Sequence, residues 1–113
     1  MRQGPAFAPA SLLALAVLLA ACSANPSPDE AAAQSAGLAY RTRCERAADW
    51  YTARRLGETV YGFKLLIEQP GERILGAHLV GPDAEDTINL FALAVRHGLT
   101  AAQLKDTMFA YPT

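Results

Sequence analysis

The chain has 113 residues, a net charge of −1 and 51% hydrophobic residues, enough for one small domain with little core to spare. Its charges are interspersed, and no Arg/Lys cluster tracks a phosphate backbone, so nucleic acid is excluded as a partner. Its two cysteines, Cys22 and Cys44, lack metal-ligand spacing and make no disulfide framework.

Residues 1–22 form a separate compositional block. Arg2 supplies a thin positive start, and Ser11 to Ala21 is an apolar run too short to span a bilayer but suited to a signal segment. The run ends Leu19-Ala20-Ala21-Cys22, which resembles the lipobox of bacterial lipoproteins, with Cys22 as the lipidation candidate. A compositional accident at a displaced gene start is the other reading. Residues 23–36 read as a polar tether, Asn25 to Glu30, followed by a short helix from Glu30 to Ala36 that Gly37 ends.

From Leu38 the pattern changes. Leu38 to Arg43 alternates as a strand, with Leu38, Tyr40 and Thr42 on one side and Arg41 and Arg43 on the other. Cys44 to Arg55 is ambiguous between helix and loop. Trp50 and Tyr51 are expected to be packing residues, Arg54 and Arg55 a solvated pair, and Cys44 an inert small residue, since only Cys22 could resolve it. Glu58 to Glu68 is a strand with Tyr61, Phe63, Leu65 and Ile67 on one face and Gly62, Lys64, Leu66 and Glu68 on the other. Gln69-Pro70-Gly71-Glu72 predicts a type II turn with Gly71 at positive φ. Arg73 to Val80 returns antiparallel, with Ile74, Gly76, His78 and Val80 set against Leu75, Ala77 and Leu79.

Gly81-Pro82 breaks that strand. Asp83 is placed to cap a helix whose first turn carries Glu85 and Asp86. Ala84, Ile88, Phe91 and Val95 form its apolar stripe; Arg96 and His97 occupy its last turn, and Gly98 stops it. Thr100 and Gln103 then make a capping box, with Leu99 and Leu104 as a hydrophobic staple. The fold class is α+β: a small antiparallel sheet of about three strands with two C-terminal helices packed on one face.

No local pattern carries catalysis. His78 and His97 stand at no short spacing from an acid or nucleophile, Glu85 and Asp86 are first-turn charges, and Gly71, Gly76 and Gly81 do not make GxGxxG. Leu90, Phe91, Leu93 and Ala94 make the long helix apolar over more than one stripe, so a remainder is expected to serve a partner.

The stretch RILGAHLVGPDAEDTINLFALAVRHGLT resembles the C-terminal dimerisation domain of the FAD-dependent pyridine nucleotide-disulfide oxidoreductases, the family of glutathione reductase and dihydrolipoamide dehydrogenase. Residues 37–113 would be a partial, truncated dimerisation domain. The resemblance implies a loop rather than a helix within Cys44 to Arg55. It also implies a role in cell redox homeostasis as an interface module, with self-association or a flavoenzyme subunit as partner. FAD and NAD(P) would belong to the full-length enzymes, and this chain alone would bind neither. The family ends on a His-Pro-Thr motif whose histidine is the acid/base, held by a later glutamate. Here Tyr111, Pro112 and Thr113 match that motif. A phenol titrates far above neutral pH and an imidazole close to it, so Tyr111 cannot inherit proton transfer. The interface candidates are Leu90, Phe91, Leu93, Ala94 and Tyr111. A cytoplasmic location follows if the chain is a reductase fragment. If the lipobox is used, the chain is a lipid-anchored envelope protein on the outer face of a membrane, held only through Cys22.

Overall fold

A computed structural model of the chain describes residues 25–111. The elements run α1 (Pro28–Ser35), β1 (Tyr40–Arg46), α2 (Tyr51–Leu56), β2 (Gly62–Glu68), β3 (Ile74–Val80), α3 (Ala84–His97) and α4 (Ala101–Asp106). Among the described residues the strands make one antiparallel sheet in the order β1-β2-β3. The α+β class holds. The lipobox and Cys22 lie outside the described residues.

The register sorts side chains onto two faces, because cross-strand partners point the same way. Phe63, Leu65 and Ile67 pair with Glu45, Arg43 and Arg41 on one side and with Leu79, Ala77 and Ile74 on the other. These residues form the front face. Lys64 pairs with Cys44 and His78, and Leu66 with Thr42 and Gly76; they form the back face. Leu75 has no partner, because Leu66 faces Gly76 while Ile67 faces Ile74. This bulge shifts the alternation by one residue. It corrects the expected grouping: Ile74 leaves the face of Gly76, His78 and Val80 and joins the front.

The hairpin loop also departs from the type II reading. The positive φ falls on Glu72 (57°) rather than Gly71, and the Gln69–Pro70 bond is cis. Glu68 and Arg73 close the loop instead: the Glu68 N–H donates to the Arg73 carbonyl at 2.9 Å, and the Arg73 guanidinium holds both Glu68 carboxylate oxygens at 2.5 Å.

On the front face Ile67, Ile74 and Ala94 make the buried cluster, joined by Leu65, Phe91, Leu99, Ala101 and Leu104. Both C-terminal helices therefore pack on this face. The inward stripe of α3 runs Ala84, Ile88, Phe91, Ala94; Val95, expected in it, is exposed. At the start of α3, Asp83 holds the cap position through its carbonyl, which accepts from Asp86 and Thr87 N–H at 3.2 and 3.0 Å. Its side chain makes no cap hydrogen bond, because φ is 57° there. The Thr100–Gln103 capping box is formed as read, with Gln103 N–H to Thr100 Oγ1 at 3.2 Å and Thr100 N–H to Gln103 Oε1 at 2.9 Å. Leu99 and Leu104 both reach the core.

The back face is covered by α1, which begins two residues earlier than its composition suggested. Ser27-Pro28-Asp29-Glu30 is the helix start, with proline in the first turn and the Ser27 N–H donating to Glu30 Oε2 at 2.7 Å, rather than the end of a tether. The Cys44–Arg55 stretch divides: β1 runs on to Arg46 and α2 fills Tyr51–Leu56, where the family pattern implied a loop. Trp50 packs edge-on to Tyr61 and tilted against Phe63, whereas Tyr51 is exposed and packs no core. Cys44 is not the inert thiol expected, since it is disulfide-bonded.

Candidate subunit interface

The outer surface of α3 and the tail after α4 carry the apolar groups that the small core does not take up. Leu90 and Val95 are exposed, Leu93 is 55% exposed, and in the tail Met108, Phe109 and Tyr111 are uncovered, Tyr111 at 98%. Between α3 and α4 runs a groove of about 350 Å³ whose walls include Leu65, Leu90, Phe91, Leu104 and Phe109. The five interface candidates divide on this geometry. Leu90, Leu93 and Tyr111 face outward. Phe91 packs on the front-face cluster, and Ala94, at 0% exposure, lies within it. The divider is the helical period: Ala94 follows Phe91 by three residues and so shares its inward stripe. Pro112 and Thr113 lie outside the described residues.

The back face has the opposite chemistry. Lys64 is 3% exposed, and its Nζ lies 2.5 Å from Glu30 Oε2 and 3.4 Å from Ser27 Oγ. His78 Nε2 lies 3.1 Å from both Asp29 oxygens, and Ser27 Oγ sits 2.5 Å from Asp29 Oδ1 and 2.7 Å from Glu30 Oε2. Burial pushes the Glu30 carboxyl up, but hydrogen bonds from Lys64 and Ser27 outweigh it and hold the group below the usual carboxylate range. Asp29 behaves alike, with burial opposed and outweighed by Ser27 and His78. The serine touches the carboxylates and not the histidine, so no nucleophile–base relay exists here. This cluster fastens α1 to the sheet.

Sequence reading missed this cluster, although Ser27-Pro28-Asp29-Glu30 carries a readable signal: a capping-box pattern with proline at the first helical position. His78, at no short spacing from an acid in the sequence, is half-buried and engaged by Asp29 in the fold.

Two glycines explain how closely these elements approach. A Cβ at Gly76 would fall 2.4 Å from Asp29 Oδ2, and one at Gly81, where φ is 135°, would fall 2.0 Å from Tyr61 Cδ2. Both serve internal packing and not a dinucleotide's diphosphate. Among the described residues no group of three His, Cys, Asp or Glu side chains could hold a metal ion, and no helix is long and apolar enough to cross a membrane.

Residues 29–113 match the model of the pyridine nucleotide-disulphide oxidoreductase dimerisation domain. The chain belongs to that family. Residues 29–111 of the match take in α1, the three strands, α2 and both C-terminal helices. An uncharacterized 19.7 kDa protein in the mercuric resistance operon of Staphylococcus aureus is 37% identical over 90 residues, covering 80% of this chain and 50% of that protein. Dihydrolipoyl dehydrogenase of Chlorobaculum tepidum is 34% identical over 84 residues, 74% of this chain and 18% of the enzyme. Mercuric reductase of Bacillus cereus is 43% identical over 56 residues, 50% of this chain and 9% of the enzyme. The chain thus spans half the length of the S. aureus relative and under a fifth of either enzyme.

Proposed function

We propose that the chain is a subunit-interface module of the pyridine nucleotide-disulfide oxidoreductase system, serving redox homeostasis by association with a second copy of itself or with a flavoenzyme subunit. The observation that carries this reading is the outward row Leu90 and Leu93 on α3, continued by Met108, Phe109 and Tyr111 in the tail. Apolar groups grouped on one surface of a domain this small favour burial against another polypeptide.

Catalysis by the chain alone is not part of this function. By the family resemblance Tyr111 takes the position of the acid/base histidine, and its side chain is fully exposed. Gly76 and Gly81 are taken up by close contacts with Asp29 and Tyr61, and the described glycines make no GxGxxG loop for the diphosphate of FAD or of a pyridine nucleotide. The purified chain is expected to associate, to show no flavin absorbance and to leave NADH and NADPH unoxidised in the presence of a disulfide. A yellow preparation, or NADPH oxidation abolished by Tyr111→Phe, would overturn the non-catalytic reading.

A further inference from the structure

At the end of the sheet opposite the hairpin loop lies a second cavity, of about 240 Å³, which adjoins the α3–α4 groove along Thr87 and Phe91. Its walls include Trp50, Tyr61, Phe63, Leu79, Thr87 and Phe91. None of its lining residues is acidic or basic, and four of the six named here are aromatic. Protein interiors are packed to the density of organic crystals, so a space of this size at the edge of a small core stands out. The cavity is partly open to solvent, with Trp50 48% exposed on its wall. It is smaller than the roughly 300–1,000 Å³ of drug-sized sites.

The walls are held in place independently of any ligand. The Trp50 N–H donates to the Ala47 carbonyl at 3.0 Å, and its own carbonyl accepts from Arg54 N–H at 2.9 Å, so the residue is fixed between β1 and α2. Its ring stands at 85° to Tyr61, centroids 6.4 Å apart, and 5.8 Å from Phe63. Tyr61 in turn lies over Gly81, where no side chain fits. Fixed rings at these spacings favour edge-to-face or offset contact with another ring. A charge would enter without a counter-ion or a full set of hydrogen bonds and would be penalised.

We propose that this cavity binds a small uncharged aromatic molecule of one or two fused rings. Trp50 and Tyr61 would contact its edges, with Thr87 on the α3 side of the opening.

The test is a titration of the full 113-residue chain with indole, followed by ¹H–¹⁵N NMR, with indole-3-acetate as the charged counterpart. Trp50 is the one tryptophan in the chain, so its indole N–H is a single reporter at the cavity wall. The expected result is saturable shifts at Trp50 and Thr87, at least tenfold weaker binding of the carboxylate, and loss of indole binding in Thr87→Phe, which fills the space. Leu93→Ser, on the outward row of α3, should bind as the parent does, which separates this site from the association surface. No saturable shift, equal binding of the carboxylate, or shifts that persist in a folded Thr87→Phe protein would overturn the proposal. Should Thr87→Phe fail to fold, Trp50→Ala serves instead: indole shifts at Thr87 unchanged in that variant would overturn it equally.

Discussion

The two faces of the sheet are closed by opposite means. The back face buries a lysine and covers it with α1 through charge: Lys64 on Glu30, His78 on Asp29, Ser27 between the two carboxylates. Lys64 and Glu30, and His78 and Asp29, are paired with one another across that face. The front face buries Ile67, Ile74 and Ala94 under two helices but leaves Leu90, Leu93 and the tail uncovered. Among the described residues the polar closure pairs specific groups, whereas the apolar one leaves large side chains exposed. An unfinished apolar surface is what a second polypeptide can complete.

The largest expected effect tests the pairing on the back face. Lys64→Ala strands the Glu30 carboxylate in a buried site, and breaking a buried pair costs about 3–5 kcal/mol. Replacing both members by apolar residues, Lys64→Met with Glu30→Leu, should recover most of that loss. Urea midpoints of the two proteins give the comparison. A loss below about 1 kcal/mol for the single change, typical of a surface pair, would mean that the back face is held otherwise.

On the front face Ile74→Ala removes a buried side chain at the bulge and is expected to cost about 3 kcal/mol. The same urea series reads it. Here no second substitution should rescue, because no charge is left behind.

Acid should loosen the two faces unequally. Asp29 and Glu30 both titrate lower in the folded chain than in the unfolded one. Their stabilisation is therefore fully present above the unfolded carboxylate range, about pH 4, and is lost as pH falls through the folded values. Amide exchange across α1 should accelerate below pH 4 before exchange across α3 does. Simultaneous opening of both helices would contradict the division. The smallest effect is at the cap of α4: Thr100→Ala loses one half of the capping box and should cost about 1 kcal/mol, visible as a small drop in the thermal midpoint.

Legibility in the sequence followed the same division. The hairpin, α3 and the Thr100–Gln103 box are local patterns, each decided by residues within a few positions of one another, and each is found where it was read. The ion pairs of the back face join residues far apart in the chain, Glu30 with Lys64 and Asp29 with His78, and no local period announces them. Ser27-Pro28-Asp29-Glu30 carries a local helix-start signal, but nothing in it points to Lys64 or His78. The bulge at Leu75 is equally silent, since an unbroken alternation fits the same residues and only pairing with β2 moves Ile74 to the front. On α3, helical spacing located the helix but not which apolar residues it buries. Val95 and Ala94 are both apolar, and packing alone places Ala94 inside and Val95 outside.

The central claim is that the outward row of α3 is a surface for another polypeptide. Sedimentation velocity of the full chain over a wide concentration range tests it most directly, beside the double variant Leu90→Ser/Leu93→Ser. The account predicts that the parent chain rises with concentration from the 12.0 kDa monomer to twice that mass, and that the variant stays monomeric with an unchanged urea midpoint. A parent chain that remains monomeric at the highest concentration reached, or a variant that associates as the parent does, would contradict it.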